Sequence, residues 1–191
     1  ILGVDTPYFK LGSQWWDEKT IDFSGEIKFY DRNGFIHRVF NFKQGNLHGP
    51  ILNYSDSTFG SNYVESKGSY ENGKQDGVWE NYSEFIGEPL YLHLRDTYKD
   101  GKLHGLWEAY YPDGSLDARG MFKDGKEDGE WIEYHDNGLV KNRSFYVNGK
   151  YEGLYEWFHD NGNIRTRQYC QNGDCGIKKK FDRDGILINE E

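Results

Sequence analysis

Short runs of alternating apolar and polar residues, each closed by a glycine, recur along this chain. From Gly105 the sequence reads G-L-W-E-A-Y-Y-P-D-G-S-L-D-A-R-G-M-F-K-D-G-K-E-D, and from Gly129 it reads G-E-W-I-E-Y-H-D-N-G-L-V-K-N-R-S-F-Y-V-N-G-K-Y-E. In both copies turn glycines follow the opening glycine at spacings of 9, 11 and 4 residues, and Gly25, Gly34, Gly45 and Gly49 keep the same arithmetic. Opening glycines fall at 25, 49, 77, 105, 129, 153 and 176. Alternation with a period of about two residues predicts strands, and the Asn-Gly and Asp-Gly pairs between them tolerate the positive φ that tight hairpins demand. Each repeat is therefore a pair of strands. The pattern predicts an all-β chain, an elongated single-domain meander of antiparallel hairpins forming a solenoid of about six repeats of 24 residues.

Aligned repeats give columns. Two residues after the opening glycine stand Ile27, Ile51, Trp79, Trp107, Trp131 and Tyr155; five after it stand Tyr30, Tyr54, Tyr82, Tyr110, Tyr134 and Phe158. The second strand carries Leu116, Arg119 and Phe122, with counterparts such as Val140, Arg143 and Tyr146 in the next repeat. Because side chains alternate across a strand, Trp107, Leu116 and Phe122 are expected on one face as a buried seam. Glu108, Tyr110, Arg119 and Arg143 are expected on the other as a polar ladder, with arginine stacking on tyrosine and pairing with glutamate.

Composition supports the strand reading. Of 191 residues, 24 are glycine, 15 tyrosine, 12 phenylalanine and 6 tryptophan, and the alanines are Ala109 and Ala118. Glycine costs a helix interior about 1 kcal/mol relative to alanine, and aromatic residues favour strands. No run approaches the roughly 20 apolar residues of a membrane-spanning helix. The formal charge of −9 opposes nucleic acid and anionic membrane surfaces, where lysine and arginine must release counterions. It suits solubility, or a basic protein partner reached by electrostatic steering.

The G-x-W-x-x-Y-x-x-x-G runs, as at Gly105, Trp107, Tyr110 and Gly114, and the F/Y-x-x-G-K-x-x-G runs, as at Tyr70, Gly73, Lys74 and Gly77, resemble MORN-repeat proteins. More specifically they resemble the bacterial variant repeats of the family named after the YwqK antitoxin. The likeness covers roughly residues 25 to 188. It implies a non-catalytic binder: an antitoxin, an immunity protein, a lipoprotein or a scaffold.

Repeats are occupied with stacking, so function is expected where the count of 24 fails. Residues 1–24 lack the repeat and are expected to cap the first edge, with Trp15 and Trp16 as an alternative contact site. The repeat domain, 25–191, carries four-residue enlargements within 55–63 and 83–91. These loops would display Phe59, Tyr63, Phe85, Ile86 and Tyr91, rimmed by Glu84 and Glu88, as a partner-binding tip; the alternative is that they fold back on the sheet.

In Y-C-Q-N-G-D-C-G, Asn172-Gly173 forms a two-residue turn, which sets Gln171 opposite Asp174 and Cys170 opposite Cys175. Opposed positions at such a rung suit a disulfide, and a disulfide implies an oxidising compartment such as a bacterial periplasm or cell envelope, with the cytoplasm as the alternative. His135 and His159 recur one repeat apart, as do His48 and His104 at another turn position, which marks them as turn residues rather than metal ligands. No nucleophile elbow, zinc helix, phosphate loop or C-x-x-C pair is present. No catalysis, cofactor or metal is expected. The expected partner is a cognate toxin or effector protein, with no nucleic acid and no membrane contact beyond a lost lipid anchor. The reading from sequence is an immunity protein or antitoxin that neutralises a secreted effector. An envelope scaffold, lipid-anchored or not, is the second reading.

Overall fold

The computed structural model describes residues 8–11, 14–17, 22–31, 33–55, 63–84 and 90–191. Among the described residues every regular element is a strand and the strand pairings are antiparallel, as the alternating pattern requires. The chain comprises two units, residues 1–76 and 77–191.

The first unit holds β1 (Tyr8–Leu11), β2 (Gln14–Asp17), β3 (Gly25–Tyr30), β4 (Ile36–Lys43), β5 (Asn46–Leu47), β6 (Gly49–Tyr54), β7 (Val64–Glu71) and β8 (Lys74–Gln75). β1 pairs with β2, while β3 to β8 form a meander in which β4, β6 and β7 each pair on both sides. Its core is Ile27, Val39 and Ile51, all buried. Phe40 meets Phe29 and Phe42 edge-on, at ring separations of 5.5 and 6.5 Å.

In the second unit the hairpins continue as β9 (Gly77–Ser83), β10 (Tyr91–Lys99), β11 (Lys102–Leu103), β12 (Gly105–Tyr110), β13 (Leu116–Lys123), β14 (Lys126–Glu127) and β15 (Gly129–Tyr134). They end with β16 (Val140–Val147), β17 (Lys150–Tyr151), β18 (Gly153–Phe158), β19 (Ile164–Gln171), β20 (Asp174–Cys175), β21 (Lys179–Phe181) and β22 (Leu187–Glu190).

Two kinds of turn join these strands. The tight ones have positive φ at both central residues, as at Asp124 (52°) and Gly125 (84°) or Asn148 (51°) and Gly149 (80°), which is the type I′ geometry that matches strand twist. Each also bonds to the preceding repeat: the Gly125 amide donates to the Leu103 carbonyl, Gly149 to Glu127 and Gly173 to Tyr151. Acidic side chains extend this stacking, with Asp128 Oδ2 accepting from the Asn148 amide at 3.1 Å and Glu152 Oε2 from the Asn172 amide at 2.8 Å. Gly176 departs from its expected role. It lacks the positive φ of Gly105, Gly129 and Gly153, and its amide donates to the Tyr169 carbonyl as Glu152 donates to Phe145. The opening glycine is thus missing from the last repeat.

One face of the second unit is packed with rings. Trp107 and Trp131 lie 5.2 Å apart, and Phe122 and Tyr146 meet Trp131 edge-on at 5.2 and 6.0 Å. The seam predicted from Trp107 and Phe122 is present, but Leu116 does not continue it. The register shifts by one residue between Ala109 and Tyr110, and Leu116 comes opposite Tyr110. The same bulge recurs at Tyr134/Val140 and Phe158/Ile164. An extra residue on one strand disrupts strict alternation, so a reading by parity fails across it.

Candidate functional site

The opposite face of the second unit is open, and its side chains form rows across the strands. Register pairs Glu80 with Arg95, Arg95 with Glu108, Glu108 with Arg119, Arg119 with Ile132, Ile132 with Arg143, Arg143 with Glu156 and Glu156 with Arg167. The four residues predicted for the polar ladder, Glu108, Tyr110, Arg119 and Arg143, therefore do lie on one face. They do not behave alike.

Arg95, in the same column as Arg119 and Arg143, is the working centre of the row. Its Nη2 donates to Glu80 Oε1 at 3.0 Å, and its Nη1 donates to Glu108 Oε2 at 3.2 Å and to the Tyr110 hydroxyl at 3.1 Å. Its guanidinium carbon stands 5.7 Å from the Tyr110 ring centroid, within cation–π range. The Tyr110 hydroxyl in turn donates to Glu108 Oε2 at 2.8 Å. Burial first, then the Glu108 carboxylate, pushes the Tyr110 phenol above its ordinary value.

The second closed cluster is at the far end of the row. Arg167 Nε donates to Glu156 Oε1 at 2.7 Å, with Nη2 2.6 Å from the same oxygen, and Glu156 is buried. Between these clusters the row is interrupted by Ile132, which takes the place of a glutamate and is 5% exposed. Arg119 and Arg143 flank it in register. With Glu108 held by Arg95 and Glu156 by Arg167, Arg119 has no ion pair among the described residues and Arg143 has one long contact, 3.8 Å to Glu130.

Next to the ladder row runs a row of exposed apolar side chains. Register pairs Leu106 with Met121 and Leu154 with Tyr169, while Phe145 stands opposite Glu130. Leu106, Met121, Phe145, Leu154 and Tyr169 are 42–59% exposed.

The histidine pair at the wide turns is structural. His135 Nε2 donates to the Phe158 carbonyl and His159 Nε2 to the Phe181 carbonyl, each at 3.2 Å, and the Tyr111 hydroxyl makes the same bond to Tyr134 at 2.8 Å. Each turn is latched to the next repeat. Among the described residues no cluster of histidine, cysteine or acidic groups could hold a metal ion.

Cys170 and Cys175 are joined by a disulfide at a directly opposed rung, next to the Asn172-Gly173 turn. In the preceding repeat the same two positions hold Tyr146 and Tyr151, whose rings lie 4.6 Å apart. The bridge replaces a ring contact.

Of the loop residues proposed as a binding tip, Phe59, Phe85, Ile86 and Glu88 lie outside the described residues. Tyr63 and Tyr91 are partly exposed beside the starts of β7 and β10, and Glu84 is exposed just after β9. An open groove of about 660 Å³ near the chain's end is lined by Trp157, His159, Arg165, Lys178, Lys180 and Arg183. Two of its four cations are compensated: Lys180 pairs with Glu191 at 2.5 Å and Arg183 pairs with Asp160.

No curated protein matches the chain. Residues 103–124, 127–148 and 151–172 each match the family described as the MORN repeat variant, so MORN-type repeats are present over these three hairpins.

Proposed function

We propose that this protein is a non-enzymatic protein-binding module, and that its role is that of an immunity protein or antitoxin which neutralises a secreted effector. The observation that carries this reading is the open face of the second unit, where a row of large apolar side chains remains 42–59% exposed beside Arg119 and Arg143. Solvent-facing apolar rows of this kind are a cost to a protein that binds nothing, and they mark contact surfaces. The likeness of the repeat to that of the YwqK family supplies the class of partner. The disulfide favours the periplasm or envelope as the place of action. The enlarged loops, with Phe59, Tyr63, Phe85, Ile86, Tyr91, Glu84 and Glu88, are a further proposed contact region.

Co-purification with the product of the neighbouring gene tests the reading. A stable complex, together with protection of cells expressing that product, supports it. Recovery of several envelope proteins without protection would favour the scaffold reading instead.

A further inference from the structure

The net charge of −9 points to a basic partner, but the open face of the second unit has the opposite local balance. Beside the apolar row, on the side of the tight turns, register pairs Lys99 with Lys102 and Lys123 with Lys126, and Lys150 follows in the next repeat opposite Val147. All five lysines are exposed, and among the described residues none has an ion pair. Lys150 instead donates to Asn172 Oδ1 at 3.0 Å. On the other side of the apolar row stand Arg119 and Arg143.

Cations outnumber acidic groups on this face, with Asp100 and Asp124 standing in the turns between the paired lysines and Asp124 3.4 Å from His104. Glu80 and Glu108 are held by Arg95, and Glu156 by Arg167. Glu130 sits within the apolar row, 3.8 Å from Arg143, and Asp174 stands at the far end of the lysine row. The result is an apolar stripe bounded by cations along both edges.

From β12 to β19 the stripe crosses six strands, a length of about 24 Å at roughly 4.8 Å per step. A helix of about 16 residues covers that length at about 1.5 Å per residue, and its pitch of about 5.4 Å sets successive turns close to successive strands. An extended segment projects same-side residues every 6.6 to 6.8 Å or so, which drifts out of step with the stripe.

We infer that this face docks an acidic amphipathic helix of a partner protein, its apolar residues on Leu106, Met121, Phe145 and Leu154 and its flanking carboxylates on the lysine row and on Arg119 and Arg143. The inference deepens the binding-module reading and rests on it. It reverses the charge of the partner that composition alone selects.

The test uses the full-length oxidised protein and fluorescence anisotropy of three labelled 16-residue helical peptides: a leucine stripe flanked by glutamate, the same stripe flanked by lysine, and a scramble of the acidic one. Vesicles of phosphatidylcholine with phosphatidylserine serve as a fourth probe. The acidic peptide is expected to bind, more weakly as salt rises, and the other two peptides not to bind. Lys123→Glu/Lys126→Glu should weaken that binding by about tenfold or more, and Met121→Ser/Phe145→Ser should do likewise without the salt dependence changing. Both pairs are exposed, and circular dichroism confirms that each variant is folded.

Absence of acidic-peptide binding overturns the inference, as does equal binding of the lysine-flanked peptide. Vesicle binding without peptide binding also overturns it, in favour of a membrane surface. The outcome separates from that of the functional reading. Loss of effector neutralisation with intact peptide binding would count against the immunity role alone, while neutralisation without peptide binding would count against the docking face alone.

Discussion

The indole of Trp131 lies directly on Gly120. A Cβ built on Gly120 would meet Trp131 Cδ2 and Cε2 at 2.2 Å, a distance no pair of non-bonded carbon atoms sustains. Gly120 pairs with Trp107 in register, so the missing side chain is what lets two indoles from successive repeats approach to 5.2 Å. Gly120→Ala is therefore expected to cost about 2 to 3 kcal/mol, through displacement of a ring held on several sides. Chemical denaturation of Gly120→Ala, Trp131→Leu and the double variant measures it. The double variant should lose less than the sum of the two, because a smaller side chain relieves the clash.

Asp96 is a buried carboxylate facing Trp79 across β9 and β10, with Asn81 Nδ2 donating to it at 3.4 Å. Burial raises its pKa above the ordinary value. The folded state thus holds the proton more tightly than the unfolded state does. The stability this provides is present below the unfolded pKa and lost as pH rises through the folded one. Asp96→Asn should consequently stabilise the protein at neutral pH by roughly 1 kcal/mol, an advantage that fades in acid. Denaturation curves at neutral and acidic pH check this, and a less stable variant at neutral pH would refute it.

Two phenols define an alkaline limit. Burial first, then Asp117, pushes Tyr111 up to about 12; burial first, then Tyr146, pushes Tyr151 up to about 12. Their neutral forms are favoured by folding, so their contribution is intact below the unfolded value of 10.0 and lost as pH rises through about 12. Tyrosinate absorbance and far-ultraviolet circular dichroism should change together in that window, with the Tyr111→Phe/Tyr151→Phe variant holding its structure to higher pH.

Reduction of the disulfide should be a local event. The bridge spans 5 residues of sequence, and closing so short a loop contributes about 2 kcal/mol at most. Reduced protein is expected to remain folded, with faster amide exchange confined to β19, β20 and the strands bonded to them. Global unfolding on reduction would contradict this.

Much of this architecture was readable in advance because its determinants are local. The Asn148-Gly149 and Asn172-Gly173 turns fix φ within two residues, and the Cys170–Cys175 pairing follows from the turn between them. The bulge that moves Leu116 beside Tyr110 was not legible, since an apolar residue at either parity reads as buried until the partner strand is known. The site was harder still. Glu108, Tyr110, Arg119 and Arg143 were visible as a column, but which arginine holds which carboxylate depends on cross-strand geometry, and Arg95 satisfies both Glu80 and Glu108. The basic flanks of the apolar stripe were hidden for a related reason. Lys99, Lys102, Lys123 and Lys126 are dispersed along the chain and become one row only through the register.

A stoichiometric titration tests the central claim most directly. The activity of the proposed partner, the product of the neighbouring gene, is measured at increasing molar ratios of purified, oxidised protein. A binding module predicts a linear fall that ends near one equivalent, with intact effector recovered on dissociation. Undiminished effector activity at excess protein would contradict the neutralising role, and complete inactivation at far below one equivalent would contradict the absence of catalysis.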